Sequence, residues 1–327
     1  MHDIAMEDRH ALLRHHGDFA LAYSVATQPE LSRFGDSRGF IAYRMVGGTA
    51  LVLADPLAPP ADQDRLLDAF IAEKRDVCFW QASRGLAERL ATRGFLVNDM
   101  GRETIVDMST FDFAGPHRRS YRTAFNRLAA RGASVREASA TAFDPQALAR
   151  ISAGWRGTRT TKRRELQFLV RPVTLADEPG VRKFFAVDKH GNPEGLAFFD
   201  PVYADGQVIG YLSATRRWLP SADPLTAYAM VRTAIERFKA EGVPSLYLGL
   251  SPFDIGADRD FTNNWLARRV FRLAFTNGAI NRLIYPFQTL AAHKASFGGT
   301  ARPTYYAFNT LPSLPRILKL IRACRIV

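Results

Sequence analysis

Strand-like and helix-like patterns alternate along both halves of this chain, and the alternation limits its fold more than any single motif does. In the first half, short apolar runs typical of buried strands are separated by segments with apolar residues at helical spacing. The predicted strands are 40–44, 49–54, 77–81, 95–97 and 104–108, and the predicted helices are 64–73 and 83–92. Together these elements predict a mixed sheet with helices on its faces.

The second half repeats this plan without a repeat at the residue level. The predicted strands are 181–188, 195–202, 207–216, 245–250 and 303–308, and the predicted helices are 225–241, 264–275 and 285–294. We therefore predict an α/β (α+β) chain with a first fold over 1–113, a connecting helix over 114–132 and a second fold over 133–327. At 327 residues the chain has room for two domains of ordinary size.

The connecting segment 114–132, AGPHRRSYRTAFNRLAARG, contains five arginines and no acidic residue. At helical spacing its apolar residues fall on one side and most arginines on the other, and Pro116 and Gly132 suit its start and end. A helix of this kind is suited to contact a polyanion, and a solvated surface helix is the alternative. The arginines are Arg118, Arg119, Arg122, Arg127 and Arg131.

A second basic stretch follows near residue 160, and the chain as a whole is basic. Its formal net charge of +12 favours phosphate-rich partners such as nucleic acid, anionic lipid or a phosphorylated cofactor. The aromatic residues Trp155 and Phe168 flank the stretch, which suits stacking on unpaired bases, while a surface loop is the alternative. Its cations are Arg156, Arg159, Lys162, Arg163 and Arg164.

Several function classes lack their signatures. Cys78 and Cys324 are far apart in sequence, and no histidine or cysteine spacing suits a metal, so we predict free thiols and no metal site. No run reaches the roughly 18 apolar residues of a membrane span, and the N-terminus lacks a signal-peptide core. We predict a cytoplasmic protein. The basic amphipathic tail, 311–327, suits either peripheral contact with the inner membrane face or docking on the core.

Several stretches resemble the soluble catalytic domain of bacterial phosphatidylglycerol lysyltransferases and alanyl-phosphatidylglycerol synthases. They include GFIAYRMVGGTALVLADPLAPP (39–60), ETIVDMSTFDFAGPHRRSYRTAFNRL (103–128), LYLGLSPFDIG (246–256) and HKASFGGTARPTYYAF (293–308). The resemblance runs nearly end to end. It implies two tandem acetyltransferase-like (GNAT) folds joined by a basic helix, and transfer of an amino acid from aminoacyl-tRNA to a lipid, with aminoacyl-tRNA as co-substrate and no other cofactor.

The resemblance also assigns roles to residues. Transfer from an activated ester requires positioning and stabilisation of the developing oxyanion. Lys294, in HKASFGG, resembles a lysine of the family and is the first candidate for this role, and Arg216 is the second. A surface lysine and a structural ion pair are the respective alternatives. We expect substrate contacts from Tyr285, Asp254 and Ser213. The expected tRNA contacts are Arg118, Arg119, Arg122, Arg127, Arg156, Arg159, Arg163 and Arg164.

Three differences from the family pattern affect the expected substrates. The multi-span membrane domain that usually precedes this domain is absent from the sequence, which favours a non-lipid or peripherally reached acceptor. Where the family commonly has an acidic residue shortly before the arginine of the third strand, this chain has Ser213 before Arg216, which argues against a lysyl donor. The segment 258–281 matches only loosely.

We therefore predict an aminoacyl-tRNA-dependent aminoacyltransferase that acts on an anionic lipid or a small metabolite with a hydroxyl or amine. The alternatives are a thioester-dependent N-acyltransferase and a non-catalytic tRNA- or membrane-binding relative. The stretches RRWLPSADPLTAYAM and LADPLAPPADQDRLL contain no glycine where an acetyltransferase-like fold usually has its coenzyme A loop. This argues against the thioester alternative.

Overall fold

The fold, from a computed structural model, contains two sets of strands that meet in one sheet. The structure describes residues 4–159, 164–256, 261, 265–283, 285–309 and 314–325. The first set is β1 (Ser32–Asp36), β2 (Gly39–Val46), β3 (Thr49–Leu53), β4 (Val77–Ala82) and β5 (Leu96–Asp107). The second set is β6 (Ser134–Glu137), β7 (Arg182–Val187), β8 (Pro193–Ala204), β9 (Gln207–Trp218), β10 (Ser245–Pro252) and β11 (Thr300–Phe308).

Helices connect and cover these strands. The helices of the first half are α1 (Met6–His16), α2 (Ala22–Thr27), α3 (Pro60–Lys74), α4 (Arg84–Thr92) and α5 (Arg119–Ala130). Those of the second half are α6 (Pro145–Gly157), α7 (Thr226–Ala240), α8 (Trp265–Thr276), α9 (Gly278–Leu283), α10 (Phe287–Ala295) and α11 (Leu314–Ala323). The predicted mixed sheet with helices on its faces is confirmed. The elements α1, α2, β1, β6, α6 and α9 were not predicted.

The sheet has eleven strands in the order β1-β2-β3-β4-β11-β5-β10-β9-β8-β7-β6. Antiparallel pairing of β5 with β10 joins the two halves into one sheet. β11, from the end of the chain, lies between β4 and β5 and pairs with both, so the second half contributes a strand to the first. The predicted domain boundaries at 113 and 133 stay a prediction. By sequence β11 belongs to the predicted second fold, but it pairs with strands of the predicted first fold.

Aromatic residues fill the core on both sides of this exchange. Trp80 of β4 and Tyr306 of β11 are almost fully buried and stack with ring centroids 5.0 Å apart. In the second half, Phe238 of α7 packs against Phe199 of β8 and Tyr211 of β9, with centroid distances of 5.3 and 4.5 Å. Helices and sheet are therefore held together by large buried apolar surfaces.

The C-terminal helix α11 docks on the first half. Arg316 forms an ion pair with Asp76 at 2.5 Å, and Lys319 donates hydrogen bonds to the carbonyl of Gly47 and the hydroxyl of Thr49. Leu320 is buried. The sequence analysis left two possibilities for the tail, peripheral membrane contact and docking on the core. In the structure α11 is docked on the core. Among the described residues, no helix has the length and apolarity needed to cross a bilayer.

Candidate active site

β9 and β10 diverge after a short paired segment. The two strands are parallel. Their pairing begins where Ser245 lies opposite Gly210 and ends where Tyr247 lies opposite Leu212, although both strands continue beyond that point. β10 contains an irregularity after Tyr247, where Gly249 has a φ of +70°, a conformation that glycine adopts without strain. The divergence leaves space beside the sheet for side chains from α10.

Lys294 of α10 is directed at this gap. Its Nζ donates a 2.6 Å hydrogen bond to the carbonyl oxygen of Leu250, and the residue is only 6% exposed. A Cβ at position 249 would lie 3.9 Å from Nζ, an ordinary van der Waals distance, so the amine lies directly beside Gly249. Burial, followed by the charge of Arg216, lowers the pKa of Lys294 to about 7, although the charge of Glu103 opposes both effects. The lysine therefore exchanges its proton near neutral pH.

Glu103 of β5 is a site residue that the sequence analysis did not single out. It lies opposite Leu250 on one neighbouring strand and Arg302 on the other. Its Oε1 is buried and, within the described part of the chain, has no hydrogen-bond partner. Burial raises the pKa of Glu103 to about 7, opposed by the charges of Lys294 and Arg302. A carboxyl and an amine with similar proton affinities thus influence each other inside the site.

Arg216 of β9 approaches the same place from the opposite side. Its Nη1 lies 3.4 Å from Nε2 of His293, the residue before Lys294. Burial, together with Arg216 and Lys294, lowers the pKa of His293 to about 4. The imidazole is therefore neutral at pH 7 and accepts a hydrogen bond from the guanidinium, which remains charged. His293 also contacts the rings of Tyr228 and Phe297, which fix its position.

The three residues predicted to contact substrate differ in how closely the structure connects them to Lys294 and Arg216. Tyr285 precedes α10. Burial raises the pKa of Tyr285, and the charges of Arg159 and Arg216 oppose this rise. Ser213 lies on β9 opposite Phe199, and in the described structure its buried Oγ has no hydrogen-bond partner. Asp254 lies in the loop after β10, and no hydrogen bond or ion pair joins it to the others among the residues described.

The arginines in α5 and at its two ends divide into two groups. Arg118 bonds to Asp112 and to the carbonyl of Phe297, Arg122 bonds to the carbonyls of Phe113 and Gly115, and Arg127 pairs with Asp223. Arg119 and Arg131 are exposed and have no ion pair or side-chain hydrogen bond within the described ranges. The predicted amphipathic helix is present, preceded by a 3-10 turn at Pro116–Arg118. The predicted contacts with tRNA stay predictions.

The second basic stretch is likewise partly used inside the protein. Arg156 pairs with Glu165 at 2.7 Å, and Glu165 also bonds to Arg217. Arg159 lies over the ring of Trp155, 4.2 Å from its centroid. Arg164 is exposed, whereas Arg163 and Lys162 lie outside the described residues.

The start of α7 is the place where an acetyltransferase-like fold would present backbone N–H groups to a pyrophosphate. Here Asp223, 5% exposed at its side chain, accepts a 2.8 Å hydrogen bond from the N–H of Leu225 and pairs with Arg127. Its backbone carbonyl accepts from the N–H of Thr226. A carboxylate at this helix terminus repels a pyrophosphate, and it already accepts a hydrogen bond from one of the backbone N–H groups there. Both effects disfavour the thioester-dependent N-acyltransferase alternative.

In the described part of the chain, no group of three or more histidine, cysteine, aspartate or glutamate residues is arranged to hold a metal ion. Cys78 and Cys324 are both buried and unpaired, as the sequence predicts. Burial raises the pKa of the Cys324 thiol to about 11, so this cysteine is a poor nucleophile. The charged groups that the structure brings together at this place are Lys294, Arg216 and Glu103.

Comparisons with known proteins agree with this architecture. A solved structure of L-PGS from Bacillus licheniformis superposes with a TM-score of 0.76 at 19% identity, covering 97% of this chain and 96% of that one. A phosphatidylglycerol lysyltransferase of Staphylococcus aureus is 25% identical over 305 residues, which is 88% of this chain and 34% of the relative. An uncharacterized protein of Corynebacterium glutamicum is 21% identical over 299 residues, 88% of this chain and 37% of the relative.

This chain thus spans about a third of the length of these two curated relatives. The structural likeness agrees with the predicted α/β (α+β) fold, and the predicted family is confirmed by a family model. That model, described as phosphatidylglycerol lysyltransferase, C-terminal, matches residues 9–308. The chain therefore belongs to the phosphatidylglycerol lysyltransferase C-terminal domain family.

Proposed function

We propose that this protein transfers an amino acid from aminoacyl-tRNA to a hydroxyl of an anionic lipid of the phosphatidylglycerol type. The observation that carries the proposal is the buried Lys294 where β9 and β10 diverge, with Arg216 and Glu103 around it. The names of the relatives support the lipid acceptor. The basic surface supports a polyanionic donor.

The reaction exchanges one ester for another. The acceptor oxygen attacks the carbonyl carbon of the aminoacyl ester and forms a new C–O bond, and the bond from that carbon to the ribose oxygen breaks. The proton of the acceptor hydroxyl ends on the ribose oxygen. A residue that takes this proton and returns it therefore accelerates both halves of the exchange.

Lys294 is suited to move this proton, because an amine with a pKa of about 7 is substantially neutral at physiological pH. This refines the expectation that it acts mainly as a fixed cation. Arg216 keeps its charge and is the better group to stabilise the oxyanion, and His293 holds its guanidinium in place. Glu103 is a positioning residue that favours the charged form of Lys294.

The charge of the site also indicates the donor. The charges of Arg159 and Arg216 act on Tyr285, the charge of Arg216 also acts on Lys294, and the residue that replaces the family's acid is the uncharged Ser213. A cationic side chain would meet like charges there without a carboxylate beside Ser213. We therefore expect a donor amino acid with an uncharged side chain.

The test is a transfer assay with purified protein and radiolabelled aminoacyl-tRNAs. Alanyl- and lysyl-tRNA are compared with phosphatidylglycerol in detergent as acceptor. We expect label in the lipid fraction, faster from alanyl-tRNA. Label that leaves the tRNA only with a metabolite extract would point to a small acceptor. Loss of label no faster than in a protein-free blank would overturn the proposal.

A further inference from the structure

Helices α8 and α9 carry apolar side chains that the core does not use. Trp265 is 69% exposed, Leu273 56% and Leu283 72%, and Leu266 is also exposed. On α8, positions 265, 266, 269, 272 and 273 follow the spacing of one helix face. Three large apolar groups therefore lie on one solvent-facing side of α8, and Leu283 is a fourth on the helix that follows; such exposure is uncommon unless the surface has a partner.

The opposite face of α8 is firmly attached to the protein. Ala267 and Phe271 are buried, and the ring of Phe271 lies 4.5 Å from that of Phe253 and 5.1 Å from that of Tyr306. Because the inner face is already packed, the exposed residues are not an unfinished part of the core. They form a second, outward face.

The charge of this face is of one sign. The described segment 265–283 contains no aspartate or glutamate and has four arginines. Arg268 donates a hydrogen bond to the carbonyl of Gly256, whereas Arg269, Arg272 and Arg282 are exposed and form no ion pair within the described residues. We call the exposed residues Trp265, Leu266, Arg269, Arg272, Leu273, Arg282 and Leu283 the α8–α9 surface.

We propose that the α8–α9 surface docks on an anionic lipid bilayer. Guanidinium groups interact with lipid phosphates, while tryptophan and leucine enter the boundary between headgroups and acyl chains. RNA would use the arginines and Trp265, but it offers no apolar phase for Leu273 and Leu283. The leucines therefore favour the bilayer over a nucleic acid.

The surface is also connected to the candidate active site. Phe253 contacts Phe271 of α8 and Phe287 of α10, with centroid distances of 4.5 and 4.9 Å, and α10 carries Lys294. Docking through α8 would place this end of the molecule at the membrane. The inference deepens the proposed function, on which it rests, by naming the surface through which a lipid acceptor is reached.

The test is co-sedimentation of the full chain with vesicles. We expect binding to vesicles of phosphatidylglycerol and phosphatidylcholine, weaker binding to phosphatidylcholine alone, and at least a tenfold loss for Leu273→Ser/Leu283→Ser. The matched control is Leu318→Ser, an exposed leucine of α11. We expect this variant to bind as the wild type does. Equal binding by wild type and the double variant would overturn the proposal.

Two further measurements distinguish a failure of membrane docking from a folding defect and from a failure of the proposed transfer activity. Arg269→Gln/Arg272→Gln leaves the apolar residues intact and should also weaken binding to the anionic vesicles at least tenfold, which guards against a folding defect in the leucine variant. Transfer to a short-chain, water-soluble phosphatidylglycerol should be unchanged in both variants. A loss of tRNA affinity with normal vesicle binding would assign the surface to RNA and overturn the proposal. Unchanged transfer with unchanged vesicle binding would overturn docking alone.

Discussion

At the scale of single residues, the proton of Lys294 is the feature that the structure controls most directly. The pKa of Lys294 is lowered from 10.5 to about 7, so the fraction of Lys294 that is neutral increases as the pH rises through neutrality. If the neutral amine takes the acceptor proton, kcat/KM for transfer should rise with pH through about 7 and level off above it. Lys294→Arg, which keeps the charge but holds its proton, should lower the rate at least about 100-fold. Steady-state rates between pH 5.5 and 8.5 test this.

Glu103 provides a second readout for the same site. Because its charge raises the pKa of Lys294, Glu103→Gln should move the midpoint of the pH profile to lower pH. Glu88→Gln, a change at an exposed ion pair with Arg84, is the control and should leave the midpoint in place. If Lys294 acts only as a fixed cation, the rate instead falls as pH rises and Lys294→Arg keeps most of its activity. That result would contradict the proposed role.

The contrast between Lys294 and Glu103 shows what the sequence can reveal about a site. Lys294 and Arg216 were identified through a resemblance, and the structure places both beside His293. Glu103 was not identified, because a single acid in a strand is more often solvent-facing. Its burial depends on β10 and β11, which are distant in sequence, so no local pattern signals it.

At the scale of elements, α5 and the residues at its ends show how a charged helix divides its arginines between structure and surface. Arg118, Arg122 and Arg127 hold neighbouring segments, whereas Arg119 and Arg131 do not. Arg119→Gln/Arg131→Gln should therefore weaken tRNA binding and reduce its salt slope by about 2, with an unchanged Tm. Filter binding at several salt concentrations measures both quantities.

A variant for comparison of stability is Arg127→Gln, because Arg127 forms an ion pair with the buried Asp223. Asp223 would lose its ion-pair partner, so the free energy of unfolding should fall by about 1 kcal/mol. Unchanged affinity and salt slope in the double variant would contradict a role for these two arginines in tRNA binding.

Other elements show which local signals were sufficient. The apolar spacing of α5, α7 and α8 predicted these helices because it is strong and continuous. α6 was missed although its start is well defined, since Asp144 accepts hydrogen bonds from the N–H groups of Gln146 and Ala147 and Pro145 follows it. The predicted strands 95–97 and 104–108 are one strand, β5, which the intervening polar residues concealed.

At the scale of the whole molecule, the order of the strands is the feature that sequence patterns could not predict. Nine of the eleven strands have clear local signals, but pairing partners are set by packing between distant segments. β11 enters the sheet between β4 and β5, although its closest neighbours in sequence lie in the second half. The two halves therefore share strands, and each depends on the other for its hydrogen bonds.

This interleaving predicts that the two halves unfold together. Tyr306 of β11 is 1% exposed and stacks on Trp80 of the first half, so Tyr306→Ala should lower the free energy of unfolding by about 3–5 kcal/mol. Phe238→Ala, in the core of the second half, should shift the same transition by a similar amount. Urea titrations followed by tryptophan fluorescence and by circular dichroism should give coincident curves for all three proteins. Two separate transitions, with Tyr306→Ala moving only one of them, would show that the halves unfold independently despite the shared sheet.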